Sequence, residues 1–174
     1  DHPVESELVE VLEGATEGGY PFVFVDLRWN PGGRFGHAIP FAELIGSAVR
    51  PDGKIYVAVG PQTFSAAIVM AALIKQHAPE RTVIVGEPMG DRPQFWAERG
   101  QQFVLPNSGY HIGYATGFHD WERRCADEVE YCFPPNRRNA ADIGHLKVDV
   151  PIQPAFAQYA AGLDPVLTWA LDQH

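Results

Sequence analysis

An α/β fold with a partly parallel sheet is predicted by three features of the chain. Apolar, β-branched runs of strand length alternate with apolar stretches of helical length. Two of those runs stop at glycine-containing loops: residues 22–26 run into Asn30-Pro31-Gly32-Gly33, and residues 55–59 into Gly60-Pro61. The 17 glycines and 15 prolines among 174 residues suit many strand–loop junctions rather than a helical bundle. Strands separated by helices make βαβ units, which pair in parallel.

The elements follow in order. Val4, Leu8, Val11 and Leu12 share one face of a helix behind Asp1-His2-Pro3. Residues 22–26 form a buried strand and residues 39–49 an amphipathic helix, followed by a turn at Pro51-Asp52-Gly53. The second buried strand, 55–59, leads at once into an apolar helix that starts behind Thr63 or Phe64. Residues 82–85 are a short strand ending at Gly86. Three further strands cover 95–97, 103–105 and 110–115, with a hairpin turn at Pro106-Asn107-Ser108-Gly109. Residues 123–144 are polar and proline-containing and read as a long surface excursion. Asp164-Pro165 supplies a cap and a first-turn proline for a final helix over 166–171.

The length suits one domain with a sizeable core. The net charge of −9, from 22 acidic against 13 basic residues, argues against a nucleic-acid partner. No apolar run approaches the roughly 20 residues that cross a bilayer. Histidine and cysteine spacing gives no zinc pattern, and no dinucleotide or phosphate loop is present, so neither metal nor cofactor is expected. Cys125 and Cys132 either close a small surface hairpin or remain free thiols; the spacing leaves both open.

The chemistry centres on Ser65. It falls in the first turn of a helix, just past the end of a buried strand. Amides there lack intrahelical partners, and the peptide dipoles favour negative charge. A serine oxygen so placed can attack a carbonyl while neighbouring amides receive the oxyanion. The plainer reading is a helix-capping serine. A Gly-Gly turn after a strand lets backbone approach a ligand closely, and parallel strands would bring that turn and Ser65 to one sheet edge.

The segments DLRWNPGG, TFSAA and VGEPMGDRP, in that order, resemble the tail-specific, or C-terminal-processing, serine peptidases and their tricorn-like relatives. The later LPNSG and DVPIQPAFAQYAAGLDP resemble bacterial members, so the likeness runs over about residues 22–171. It implies a ClpP/crotonase-like fold, with a mixed sheet built from ββα-type units, and a peptide or protein substrate. It implies Ser65 as nucleophile and an oxyanion hole from the Ala66 amide and the Gly32-Gly33 turn, most simply Gly33. It further implies that residues 1–174 are the C-terminal part of a peptidase-like domain completed by an N-terminal region or a partner chain. Family members are commonly exported, which points to a periplasmic or secreted protein and leaves a cytoplasmic one open.

The general base departs from the family pattern. Tail-specific members use a lysine after the GEP segment, where this chain reads Gly90-Asp91-Arg92-Pro93-Gln94. Lys75 lies ten residues beyond Ser65, about 15 Å along a helix and out of reach. Arg92 stays protonated at any workable pH, although its fork could hold a carboxylate. Tricorn-like members take a histidine from before the DLR strand, where only His2 stands. Within the chain His119 is the first choice, oriented by Asp120, Asp91 or Glu87; His37 and His145 follow. The alternative for His119 is a loop histidine bonded to backbone. Asp26 and Arg28 read as anchors of the Gly-Gly turn, and Trp96, Phe118 and Trp121 as core or as a wall for a substrate side chain. Two other functions stay open: an inactive module that binds a peptide or apolar ligand, and an acyl-transferring or ester-hydrolysing enzyme.

Overall fold

The computed structural model describes residues 19–98, 100–125, 129–139 and 141–174. The helix read over residues 4–12, and His2 with it, lies outside them. In chain order the elements are β1 (Tyr20–Asp26), a 3-10 turn (Phe35–His37), α1 (Ala38–Ala48), β2 (Val49–Val59), α2 (Ala66–His77) and β3 (Thr82–Gly86). They continue with β4 (Gln94–Ala97), β5 (Gln101–Val104), β6 (His111–Tyr114), β7 (Gly117–Asp120) and α3 (Pro134–Arg138). The chain closes with β8 (Val150–Pro151), α4 (Phe156–Ala160) and α5 (Pro165–Leu171).

The α/β class is as expected, with a sheet of order β1-β2-β3-β8 whose neighbours all pair in parallel. The expected mixed sheet takes a different form. The antiparallel pairs β4–β7 and β5–β6 stand apart as separate two-stranded sheets.

Alternation along β2 explains the layering. Ile55, Val57 and Val59 pack into one core with Ile45 of α1 and Ile68 and Ile74 of α2. Tyr56 and Ala58 face the opposite way, against Val166 and Ala170 of α5. Side chains on a strand alternate between faces, so a strand covered on both sides must be apolar throughout. Each fully buried Ile or Val contributes about 1.5–3 kcal/mol. α2 buries seven of its twelve residues, which is why its sequence is apolar on nearly every side.

Three readings need correction. Pro51-Asp52-Gly53 is no turn between elements, because β2 passes straight through it. Tyr20 pairs with Val49 and Phe22 with Lys54, so the extra residues bulge out of a continuing strand. His119 lies on a strand, β7, and not in a loop. Residues 123–144 are a surface excursion only in part: half of the described ones are exposed, but Cys125, Cys132, Asn136 and Ala141 are buried. Cys125 and Cys132 form a disulfide that closes this segment on itself. Hydrogen bonds from the Phe118 N–H to the Tyr131 carbonyl at 2.7 Å and from the Phe133 N–H to the Phe118 carbonyl at 2.8 Å hold it beside β7.

Candidate functional site

Parallel pairing carries the C-terminal ends of β1, β2, β3 and β8 to one edge of the sheet. Three loops leave from it: residues 27–34, 60–65 and 87–93. Thr63 joins the first two from a fully buried position. Its hydroxyl accepts the Gly60 N–H at 2.9 Å and donates to the Leu27 carbonyl at 2.8 Å. Both capacities of the hydroxyl are used, so its burial carries no unpaired polar group. The Asn30 N–H donates to the Leu27 carbonyl at 3.2 Å, and the Phe64 N–H to the Asn30 carbonyl at 3.1 Å. The third loop joins through the Gly90 N–H, which donates to the Thr63 carbonyl at 3.1 Å.

Ser65 is the residue just before α2, half-buried, at φ 51° and ψ −119°. A residue with a side chain rarely adopts that backbone state, which costs about 1–3 kcal/mol. Its hydroxyl makes no capping hydrogen bond. The helix-cap reading therefore does not describe what this side chain does. A sharp, strained strand-to-helix turn is also how hydrolase nucleophiles are presented.

The Gly32-Gly33 turn lies against this serine. A Cβ on Gly32 would fall 2.6 Å from the Ser65 Cβ, 2.8 Å from the Phe64 carbonyl oxygen and 2.9 Å from the Ala66 nitrogen. Only glycine fits there, and φ 103° makes the same demand. The Gly32 N–H is taken by Asn30 Oδ1 at 2.9 Å. Among the described residues, the Gly33 and Ala66 amides donate to no acceptor. The structure thus brings together Ser65, Ala66 and the glycine turn, at a helix start where the peptide dipoles favour an anion.

It does not bring His119 to them. His119 is 1% exposed, stacked on Phe95 with ring centroids 4.7 Å apart and tilted against Phe133 at 4.9 Å. Its Nδ1 accepts the Trp121 Nε1–H at 3.3 Å. An indole nitrogen only donates, so Nδ1 carries the lone pair and, in the neutral ring, Nε2 carries the proton. That Nε2 is buried and unpartnered among the described residues. Burial also pushes its pKa down to about 4. A general base needs a free lone pair towards the serine, and this ring has spent its lone pair on Trp121. The choice of His119 as base is corrected on that ground; none of Asp120, Asp91 and Glu87 hydrogen-bonds the ring.

His145 Nδ1 is 3.4 Å from Glu122 Oε1, on an exposed loop. His37 ends the 3-10 turn just after the glycines. Lys75 Nζ donates to the Thr82 carbonyl at 2.8 Å and sits 3.6 Å from Asp149 Oδ2. Thr82 opens β3, so this lysine is at the opposite edge of the sheet from Ser65, as its spacing requires. Arg92 is exposed beside Asp91. Among the described residues no side chain hydrogen-bonds the Ser65 hydroxyl.

Arg28 is an anchor, but of a different segment from the one expected. Its guanidinium takes both oxygens of Asp164, at 2.8 and 2.6 Å, and both oxygens of Asp26, at 2.9 and 2.6 Å. Asp164 also accepts the Val166 and Leu167 amides that open α5. The arginine thus fastens α5 to the end of β1 and holds both carboxyls below their usual range. Trp121 is core, fully buried. Trp96 is 54% exposed and packs on Phe118 and Tyr131.

Thr63 and Asn30 were missed as site residues. Asn30 carried a usable signal, since an Asn two residues before a glycine is the pattern of an Asx turn. Thr63 carried only a helix-start signal. Among the described residues no group of three or more His, Cys, Asp or Glu side chains could hold a metal, and no helix is long and apolar enough to cross a membrane. A comparison with the sequence profiles of known families finds no match, and neither does a search of curated proteins.

Proposed function

We propose that this chain is a serine hydrolase acting on peptide bonds, a crotonase-like relative of the tail-specific peptidases. One observation carries the reading: a strained serine at a helix start lies against Gly32, while the amides that follow each of them, Ala66 and Gly33, have no acceptor among the described residues. Ser65 Oγ attacks the scissile carbonyl carbon and passes its proton to a general base. The carbonyl oxygen becomes an oxyanion held by the Gly33 and Ala66 amides. Collapse of the tetrahedral species expels the amine, which takes up the proton, and leaves an acyl group on Ser65. Water then attacks that ester with the same assistance and frees the acid.

The base comes from outside the described side chains, and the resemblance points to the polypeptide before β1 or to a partner chain. The disulfide between Cys125 and Cys132 is compatible with the oxidising periplasm or exterior that the resemblance implies. An inactive module that binds a peptide is the second reading. It is favoured by the absence, among the described residues, of any side chain bonded to the Ser65 hydroxyl. A fluorophosphonate probe separates the two, with Ser65→Ala as control. Labelling of the native chain alone is the expected result, and equal labelling of both forms, or of neither, overturns the hydrolase.

A further inference from the structure

We infer that Asn30 is a positioning residue that decides which backbone amides face the substrate. The inference rests on the hydrolase reading. It concerns how the oxyanion donors are selected, since the glycine turn holds two amides in succession and only one is free.

Asn30 grips both loops of the site. Its carbonyl accepts the Phe64 N–H at 3.1 Å, one residue before the nucleophile, and its Oδ1 accepts the Gly32 N–H at 2.9 Å. Its own N–H is tied back to Leu27 at 3.2 Å. Pro31 follows, and a residue before proline is pushed to extended backbone, which suits a side chain reaching two residues ahead. With its amide occupied and its Cα pressed against Ser65, Gly32 is fixed on both sides.

Gly33 has no such support of its own. Apart from its own chain neighbours, no atom lies within 4 Å of where its Cβ would be, and it is exposed. The direction of its N–H is therefore inherited from Gly32, and through Gly32 from Asn30. Removing the Asn30 side chain frees the Gly32 amide to compete for the oxyanion's place and lets the next peptide rotate. The Ala66 amide, held by α2, does not depend on Asn30. One donor of the pair is thus rigid by virtue of a helix, and the other by virtue of one side-chain amide.

The test compares native protein, Asn30→Ala and Asn30→Ser, since a serine hydroxyl can accept the same N–H more weakly. The rate of fluorophosphonate labelling at Ser65 is measured where circular dichroism shows all three folded. Losing one aligned donor slows Asn30→Ala roughly tenfold or more. Asn30→Ser falls between the two, a graded rescue that general destabilisation would not give. Labelling of Asn30→Ala at the native rate overturns the inference and leaves the hydrolase standing. If the native chain does not label, the hydrolase falls instead. Amide exchange by NMR then still reads the Asn30 contact. Gly32 is expected to exchange about tenfold more slowly than Gly33 in native protein, to lose that protection in Asn30→Ala and to keep part of it in Asn30→Ser. Equal exchange of Gly32 in native protein and variants overturns the inference on its own.

Discussion

Acidification is expected to destabilise this protein through His119, well above the pH at which most carboxylates titrate. Burial pushes the folded-state pKa from 6.5 to about 4. In the unfolded chain the imidazole takes up its proton near 6.5. Between those values the unfolded state binds a proton that the folded state refuses, so stability rises with pH across the window. The contribution is complete above about pH 6.5, is lost as pH falls towards 4, and changes no further below that. At about 1.4 kcal/mol per pH unit, the gap corresponds to roughly 3 kcal/mol. The surroundings explain why the charge is refused. Phe35, Phe95, Phe133 and Trp121 enclose the ring, no carboxylate hydrogen-bonds it, and protonation at Nδ1 would set an N–H against the Trp121 N–H. Urea unfolding at steps from pH 7 to pH 4, on native protein and His119→Phe, isolates the effect because every other titrating group is common to both. The variant loses about 1–2 kcal/mol at pH 7 with the Trp121 hydrogen bond. The deficit should then shrink and reverse as the pH falls. Parallel curves over the whole range would refute the reasoning.

Two further outcomes follow from the glycine turn and the serine. Gly32→Ala should lose about 2–4 kcal/mol, from backbone strain at φ 103° together with overpacking against Ser65. Gly33→Ala, which meets open space, should lose about half as much or less. The urea midpoints check this, and equal losses would mean that the turn does not press on Ser65. Ser65→Gly should be about 1 kcal/mol more stable than Ser65→Ala, because glycine tolerates φ 51° and alanine inherits the strain. Thermal melts of the two variants compare them directly, and an alanine variant of equal or greater stability would remove the strain from the account.

Much of the fold was legible because it rests on local patterns. The fully apolar run over residues 55–59 of β2 and the glycines that end the strands say that this part of the strand is buried on both faces and that loops gather at its end. The same pattern could not show that β2 continues backwards through Pro51-Asp52-Gly53. A turn tripeptide and a bulge have the same composition, and only pairing with β1 separates them. β7 was illegible for a related reason. Gly117-Phe118-His119-Asp120 is too short to show a period, and its strand character comes from β4 across the ladder. The burial of Cys125 and Cys132 was hidden in a polar stretch because backbone hydrogen bonds to β7 and a few core contacts hold that segment down, not an apolar pattern.

The site divides along the same line. That Ser65 and the glycine turn meet was foreseeable from parallel topology, which sends successive strand ends to one edge. The base was not, because an imidazole's fitness depends on which nitrogen holds the proton, and Trp121 decides that from two residues away. A different kind of evidence separates the nucleophile reading of Ser65 from the capping one. A capping serine takes extended backbone and uses its oxygen on the first-turn amides, gaining about 1 kcal/mol without strain. Ser65 does neither: it holds a strained backbone at a cost of about 1–3 kcal/mol, and its hydroxyl satisfies none of the amides beside it. A glycine there would relieve the strain, and an unstrained serine would cap the helix. Ser65 forgoes both, so neither relief of strain nor helix capping accounts for a serine at this position, and the Ala66 amide that follows it is unpaired among the described residues.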